Sequence, residues 1–361
     1  IIHGNGGFDV IIGNPPYVVY TESSCCYKIS DAYKTKSCAN LYAYCIERCQ
    51  FFLSVRGKFG MIVPNSSISA NKMSSLQDIM TNSKECWISN YSWRPSKLFE
   101  GADMLLAIFI NTYSQVESVH STIYNKWYNE YRSCLFNCLH YTNVTSLRIS
   151  GSIPKIPSIF GLGILTKMCL NSNNQNLVNL FVSNSNSKLF YFRAVQYWFK
   201  ILDREPVFEE DDIHKVTGEM KPLYLENEQK KYSIIAVLSS TLFFYNYIVW
   251  SSCQVVNSRD FNFPLNYLSF SESEIAQLSD LGNKLQKDYQ TNSHIVTRNY
   301  SKKGRIFTMK KQHFFIKYSK SIIDEIDKVL AKHYGFTEEE LDFIINYDIK
   351  YRMGDELNNN D

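Results

Sequence analysis

The sequence lacks several features that would assign a class at once. No run of eighteen apolar residues occurs in its 361 positions, so no segment reads as a membrane helix and no membrane partner is expected. No secretory leader is visible. Charge is nearly balanced, 38 Lys and Arg against 35 Asp and Glu for a net of +3, so bulk electrostatics names no partner. Ten cysteines are scattered without a framework, which reads as the reduced thiols of a cytoplasmic protein. The tightest group is Cys134, Cys138 and His140 in CLFNCLH. It has neither a fourth ligand nor a CxxC knuckle, so no metal site is expected. No internal repeat and no nuclease constellation is seen.

What is present is an ordinary globular composition, 45% hydrophobic and 20% charged, in a chain long enough for two or three domains. The apolar run FDVII, ending at Gly13, suits a parallel strand buried on both faces. In NLYAYCIERCQFFLSVRG, residues Leu41, Tyr44, Cys45, Cys49 and Phe52 recur at helical spacing, with Gly57 as the expected stop. KFGMIVPNS reads as a strand, MSSLQDIMTNS as a helix and MLLAIFINTYS as a strand. That alternation predicts an α/β sheet with right-handed crossovers. The aromatic-rich stretch 188–270 includes IIAVLSSTLFFYNYIVW, long enough for a buried helix. Near the end, SKSIIDEIDKVLAKHYG is a one-faced helix stopped by Gly335. FTEEELDFIINYD then opens with a capping box of Thr337 and Glu340, and the two predict a helical hairpin.

The chemistry concentrates in Asn14-Pro15-Pro16-Tyr17, directly after FDVIIG. Ligands of open α/β sheets bind at the carboxyl ends of strands. Two consecutive prolines, with fixed φ and no N–H, make a stiff turn. Such a turn can aim the Asn14 side-chain oxygen and a backbone carbonyl at one spot beside an aromatic ring. An amine conjugated to a π system fits there. Its lone pair is delocalised, and two acceptors on its hydrogens favour the tetrahedral nitrogen that attacks an electrophile. A flat ring would stack on Tyr17, and a sulfonium methyl donor would be drawn to the aromatic face. A plain proline turn after a strand is the alternative.

FDVIIGNPPY closely resembles the catalytic motif of DNA methyltransferases that modify the exocyclic (N6) amino group of adenine. NLYAYCIERC, GKFGMIVPNS and LFEGADMLLAIFI also look like that family. The aromatic middle and ELDFIINYDIKYRMG resemble the recognition and tail regions of type II, type IIG-like, restriction–modification enzymes. The resemblance implies that Asn14 and the Pro15 carbonyl hold the target amine. It implies that Pro16 lies towards the methyl donor, S-adenosylmethionine, and that Tyr17 stacks on a flipped adenine, with Phe99 in KLFEGADM packing on the base's other side. Base flipping is required because the target nitrogen is tied up in the duplex. The implied fold is the C-terminal part of a Rossmann-like methyltransferase sheet over 1–120 and a linker over 121–150. A mixed α+β target-recognition domain over 151–270 and a basic, helical region over 271–361 complete it.

The family's Gly-rich donor loop should precede the tetrad. HGNGG at 3–7 leads into a strand and opens no helix, and IFGLGIL at 159–165 is the only later candidate. The sequence therefore reads as a C-terminal fragment, inactive alone, whose partner would be a missing N-terminal half or a separate restriction subunit. Double-stranded DNA is the expected substrate. Residues 298–320 hold eight Lys or Arg and no acid, interleaved with aromatics. Lys302, Lys303, Arg305, Lys310 and Lys311 are candidate backbone contacts, unless the run is a solvated face balancing the acidic FEEDD at 208–212. Asn257 and Arg259 are further candidates. Methylation of an RNA or protein amide, and a non-catalytic DNA-binding remnant, stand as alternative readings.

Overall fold

The structure, a computed structural model, describes residues 6–23, 25–101, 103–149, 151–302 and 304–354. They form two compact units. One holds the residues up to Gly161 together with Ile248–Ser252, and the other holds Leu162–Tyr247 and the residues from Cys253 on.

The first unit runs β1 (Phe8–Gly13), α1 (Leu41–Phe52), β2 (Leu53–Pro64), α2 (Ser66–Ser69), α3 (Ser74–Thr81), β3 (Lys84–Tyr91), β4 (Leu106–Tyr113), β5 (Ser118–Asn125) and β6 (Thr142–Asn143). Its sheet has the order β1-β2-β4-β3-β5-β6. Pairing is parallel for β1–β2 and β3–β5 and antiparallel for β2–β4, β3–β4 and β5–β6. The sheet is therefore mixed, not the run of parallel crossovers expected. The reason is β3, which the sequence reading passed over and which pairs antiparallel with β4 along its whole length.

Strand alternation builds the core on one face. In register across the sheet lie Met61, Phe109, Ile88 and Ser121, and beside them Phe59, Asn111, Cys86 and Val119, all buried. Each large apolar side chain so buried contributes about 1.5–3 kcal/mol. Asn111 ties helices to this face: its Oδ1 accepts from Gln50 at 3.2 Å and its Nδ2 donates to the Met80 carbonyl at 2.7 Å. On the other face Ile110 is exposed, and Trp87 stacks on His120 at 4.0 Å.

Two local expectations are corrected. β1 is parallel to its neighbour but not buried on both faces. It lies at the sheet margin and pairs only with β2 among the described strands, with Phe8, Val10 and Ile12 exposed. Gly57 does not end α1. The helix passes straight into β2, and Gly57 sits inside that strand, where a Cβ would lie 2.8 Å from the Phe8 carbonyl. The buried face of α1 carries Tyr42, Ala43, Tyr44 and Ile46, turned from the face read in the sequence because this segment is apolar nearly all round.

Lys155 is completely buried, and its ammonium donates to the carbonyls of Val249 at 3.1 Å and Ser251 at 2.8 Å. A cation there complements the carbonyl end of a helix. Replacing Lys155 by Met leaves those carbonyls without this donor. It should lower stability by about 1–3 kcal/mol, read as a lower urea midpoint with unchanged slope.

The second unit contains α4 (Ile159–Ser172), whose first turn belongs to the first unit, then β7 (Phe181–Val182), β8 (Lys188–Phe192), β9 (Ile201–Leu202), β10 (Phe208–Glu210), β11 (Ile213–His214) and β12 (Met220–Leu225). There follow α5 (Lys231–Ser239), α6 (Thr241–Trp250), α7 (Glu272–Thr291), β13 (Ser293–Lys302), β14 (Arg305–Phe314), α8 (Lys320–Tyr334), α9 (Glu338–Ile345) and α10 (Ile349–Arg352). The strands make two antiparallel sheets, β11-β10-β14-β13 and β7-β12-β8-β9.

The apolar run 234–250 is two helices, not one. The chain extends at Ser240, whose Oγ accepts from the Phe243 N–H at 2.9 Å, and the pair bends by 63°. Among the described residues no single helix is long and apolar enough to cross a membrane, and most of this bent pair is buried within the protein. α7 packs on α5 at Gly282, where a Cβ would fall 2.0 Å from the Tyr232 carbonyl. The closing hairpin follows the local signals. Gly335 ends α8 at φ +68°, and Thr337 and Glu340 form their capping box at α9.

Candidate active site and nucleic-acid interface

The tetrad lies where the apolar strand ends. Gly13 pairs with Met61, so Asn14–Tyr17 leaves β1 beside the carboxyl end of β2. Pro15 is buried, Asn14 and Pro16 are exposed, and Tyr17 is half-buried. The Tyr17 hydroxyl donates to the Ile62 carbonyl at 2.9 Å. Its ring meets Tyr42 edge-on at 6.3 Å and packs on a buried cluster of Tyr91, Leu98, Leu106, Trp127 and Leu135. Burial pushes the hydroxyl pKa up to about 12, so it remains a neutral donor. Past the tetrad, the Leu41 N–H donates to Val18 and the Tyr20 N–H to Ala39, which lays the chain against the start of α1. The segment is thus fixed by a buried proline, a bonded tyrosine and the Val19–Asn40 bridge that follows. Asn14 has no hydrogen-bond partner among the described residues.

Phe99 is exposed, next to Leu98 of the buried cluster against which Tyr17 packs. A residue that sequence reasoning missed fixes its loop. The Arg132 guanidinium donates to the carbonyls of Lys97 at 2.8 Å and Leu98 at 2.7 Å, and Lys97 pairs with Asp103. Gly101 supplies φ +80° in the same loop. Nothing in the sequence near Arg132 signals this clamp, because its partners are 34 and 35 residues away.

Cys134, Cys138 and His140 gather no metal set, and no group of three or more His, Cys, Asp or Glu among the described residues could hold one. IFGLGIL is helical, lying within α4, so it is not a Gly-rich turn. Of HGNGG, only Gly6 and Gly7 are described, at positive φ ahead of β1. Among the described residues no Gly-rich turn opens a helix.

The basic run folds as the β13–β14 hairpin. Lys303 lies outside the described residues, and so does the side chain of Lys302. Arg305 pairs with Glu210 at 3.1 Å and Asp211 at 2.8 Å, and Lys310 pairs with Glu209 at 3.7 Å and with Asp212. Two of the candidate contacts are therefore already engaged by the acidic turn. Lys311 lies 5.3 Å from the Phe208 ring. Asn257 caps a short 3-10 turn in a capping box with Asp260, and its Nδ2 donates to the Val255 carbonyl at 2.9 Å. Arg259 is half-buried, and burial lowers its pKa.

Residues 1–99 match the family described as Eco57I restriction-modification methylase. This part of the chain is similar to restriction–modification methylases. No curated protein matches the chain. Among solved structures it is similar to a nuclease-deletion mutant of the Type ISP restriction-modification enzyme LlaGI in complex with a DNA substrate mimic. That match has 12% identity and a TM-score of 0.45 over 86% of this chain and 46% of that one. It is also similar to the Type IIL restriction-modification enzyme MmeI in complex with DNA, with 11% identity and a TM-score of 0.43 over 95% and 57%. A third is a DrdV–DNA complex, with 9% identity and a TM-score of 0.39 over 93% and 56%. The chain spans about half the length of these three.

Proposed function

We propose that this chain presents the target base in a DNA methyltransferase that modifies the exocyclic amine of a flipped adenine within a restriction–modification system. The observation that carries the reading is the Asn14–Tyr17 segment at a strand's carboxyl end, with one unengaged amide beside one anchored aromatic ring. The Asn14 oxygen and the Pro15 carbonyl accept the two amine hydrogens and turn the nitrogen lone pair outwards. Tyr17 gives a face for the base, held by its bond to Ile62, and Phe99 supplies the second face. No tuned general base is needed, since the proton on the methylated nitrogen is acidic enough to leave to water. S-adenosylmethionine, when bound, supplies the electrophilic methyl, with Pro16 on its side of the turn.

The flipping step can be read without the donor. In duplexes carrying 2-aminopurine at the target position, the wild-type chain should raise fluorescence, and Tyr17→Ala should reduce that rise severalfold. Undiminished fluorescence would remove Tyr17 from the stacking role. Arg132→Ala should blunt the signal as well, by loosening the loop that carries Phe99, while far-ultraviolet circular dichroism stays unchanged. An equal loss in a distant exposed control such as Lys328→Ala would mean the clamp is merely structural.

A further inference from the structure

Cross-strand register divides the basic hairpin into two chemically different faces. Opposed residues in an antiparallel pair share a face. His294 opposes His313, Val296 opposes Lys311, Arg298 opposes Met309 and Tyr300 opposes Phe307. The other face holds Thr297 opposite Lys310 and Asn299 opposite Thr308. There Lys310 is spent on Glu209 and Asp212. On the first face neither Arg298 nor Lys311 has an ion-pair partner among the described residues. Glu210, opposite Met309 on that face, is held by Arg305. His294, Arg298 and His313 are all exposed.

We infer that this face, with Arg298 and Lys311 flanked by His294 and His313, seats the phosphodiester backbone of duplex DNA; the inference rests on the reading that the protein acts on DNA. Cations without an ion-pair partner are what a phosphate can neutralise, whereas Arg305 and Lys310 would first have to leave their carboxylates. The surroundings of His313 agree. Partial loss of hydration holds its pKa below the ordinary histidine range, and so do Lys200 from the segment before β9, His294 and Arg298 on β13, and Lys311 on its own strand. No carboxylate is among the groups acting on it. An arriving phosphate reverses the sign of that field and favours the protonated ring. The complex then binds more protons than the free protein, so affinity rises as pH falls.

The test is fluorescence anisotropy of the whole chain with a labelled 30-base-pair duplex, over a salt series at pH 6 and pH 8. Arg298→Gln and Lys311→Gln should each weaken binding roughly three- to fivefold near 0.1 M salt and lower the salt slope by about one. Lys310→Gln should leave the slope unchanged. Wild-type affinity should rise about threefold or more from pH 8 to pH 6, and His313→Gln should reduce that rise. Unchanged salt slopes in well-folded Arg298→Gln and Lys311→Gln, with wild-type binding intact, would overturn this face while leaving the reading on DNA in place. No duplex binding by the wild-type chain at low salt would overturn both.

Discussion

Asn14→Ala should nearly abolish methyl transfer while leaving duplex affinity unchanged. The assay is the natural polypeptide with tritiated S-adenosylmethionine and unmodified genomic DNA. The loss expected for removing one preorganised polar group at a reacting centre is roughly 10²–10³-fold in kcat. The structure explains why the loss should be so clean. Asn14 is exposed and forms no hydrogen bond to other described residues, so its amide does nothing for the fold. The shape of the turn comes from the buried Pro15 and from Tyr17 bonded to Ile62. Removing the amide therefore subtracts an acceptor from the site and little else. Thermal melts of Asn14→Ala and wild type should overlap. Asn14→Asp keeps an acceptor in place and should retain part of the activity. Normal turnover by Asn14→Ala would sink the proposed chemistry. A large drop in melting temperature would instead show that Asn14 is a structural residue.

The second large effect concerns stability. Asp327→Ala should cost about 3–5 kcal/mol, the usual consequence of removing one member of a buried charged network. Asp327 is buried on α8, and its carboxylate accepts from the N–H groups of Thr241 at 3.1 Å and Leu242 at 3.0 Å. Those are the first N–H groups of α6, which begins just past the bend at Ser240. Arg352 completes the network. It donates to the Thr241 hydroxyl at 3.3 Å and the Tyr197 carbonyl at 3.1 Å, with its guanidinium 3.9 Å from the Trp198 ring. Alanine would leave two buried N–H groups without their acceptor and remove one of the carboxylates that act on Arg352. A fall in melting temperature on the order of 10 °C is expected. A shift under about 2 °C would show that α6 does not depend on this cap.

The sequence and the structure agree wherever the determining forces are local. The stop of α8 at Gly335 and the capping box at Thr337 each depend on a few consecutive residues, and each stands where it was read. The reading failed where the partner is remote. Gly57 looked like a helix stop, but the backbone of β1 approaches it closely inside a strand. The run 234–250 looked like one buried helix, but the Asp327 cap lies more than eighty residues away. Arg132 gave no signal at all, because the carbonyls it clamps belong to another segment.

By itself the sequence determined the Asn-Pro-Pro-Tyr motif, its place after an apolar strand and the existence of a basic, aromatic-laced segment, since composition and short-range chemistry suffice for each. Only the tertiary structure decided that β1 lies at the sheet margin, that the sheet is mixed, and which cations of that segment are already neutralised. Strand order and ion pairing depend on which distant residues meet. Lys310 and Lys311 are neighbours in sequence and alike in chemistry, yet strand alternation sends one to Glu209 and Asp212 and the other to the opposite face.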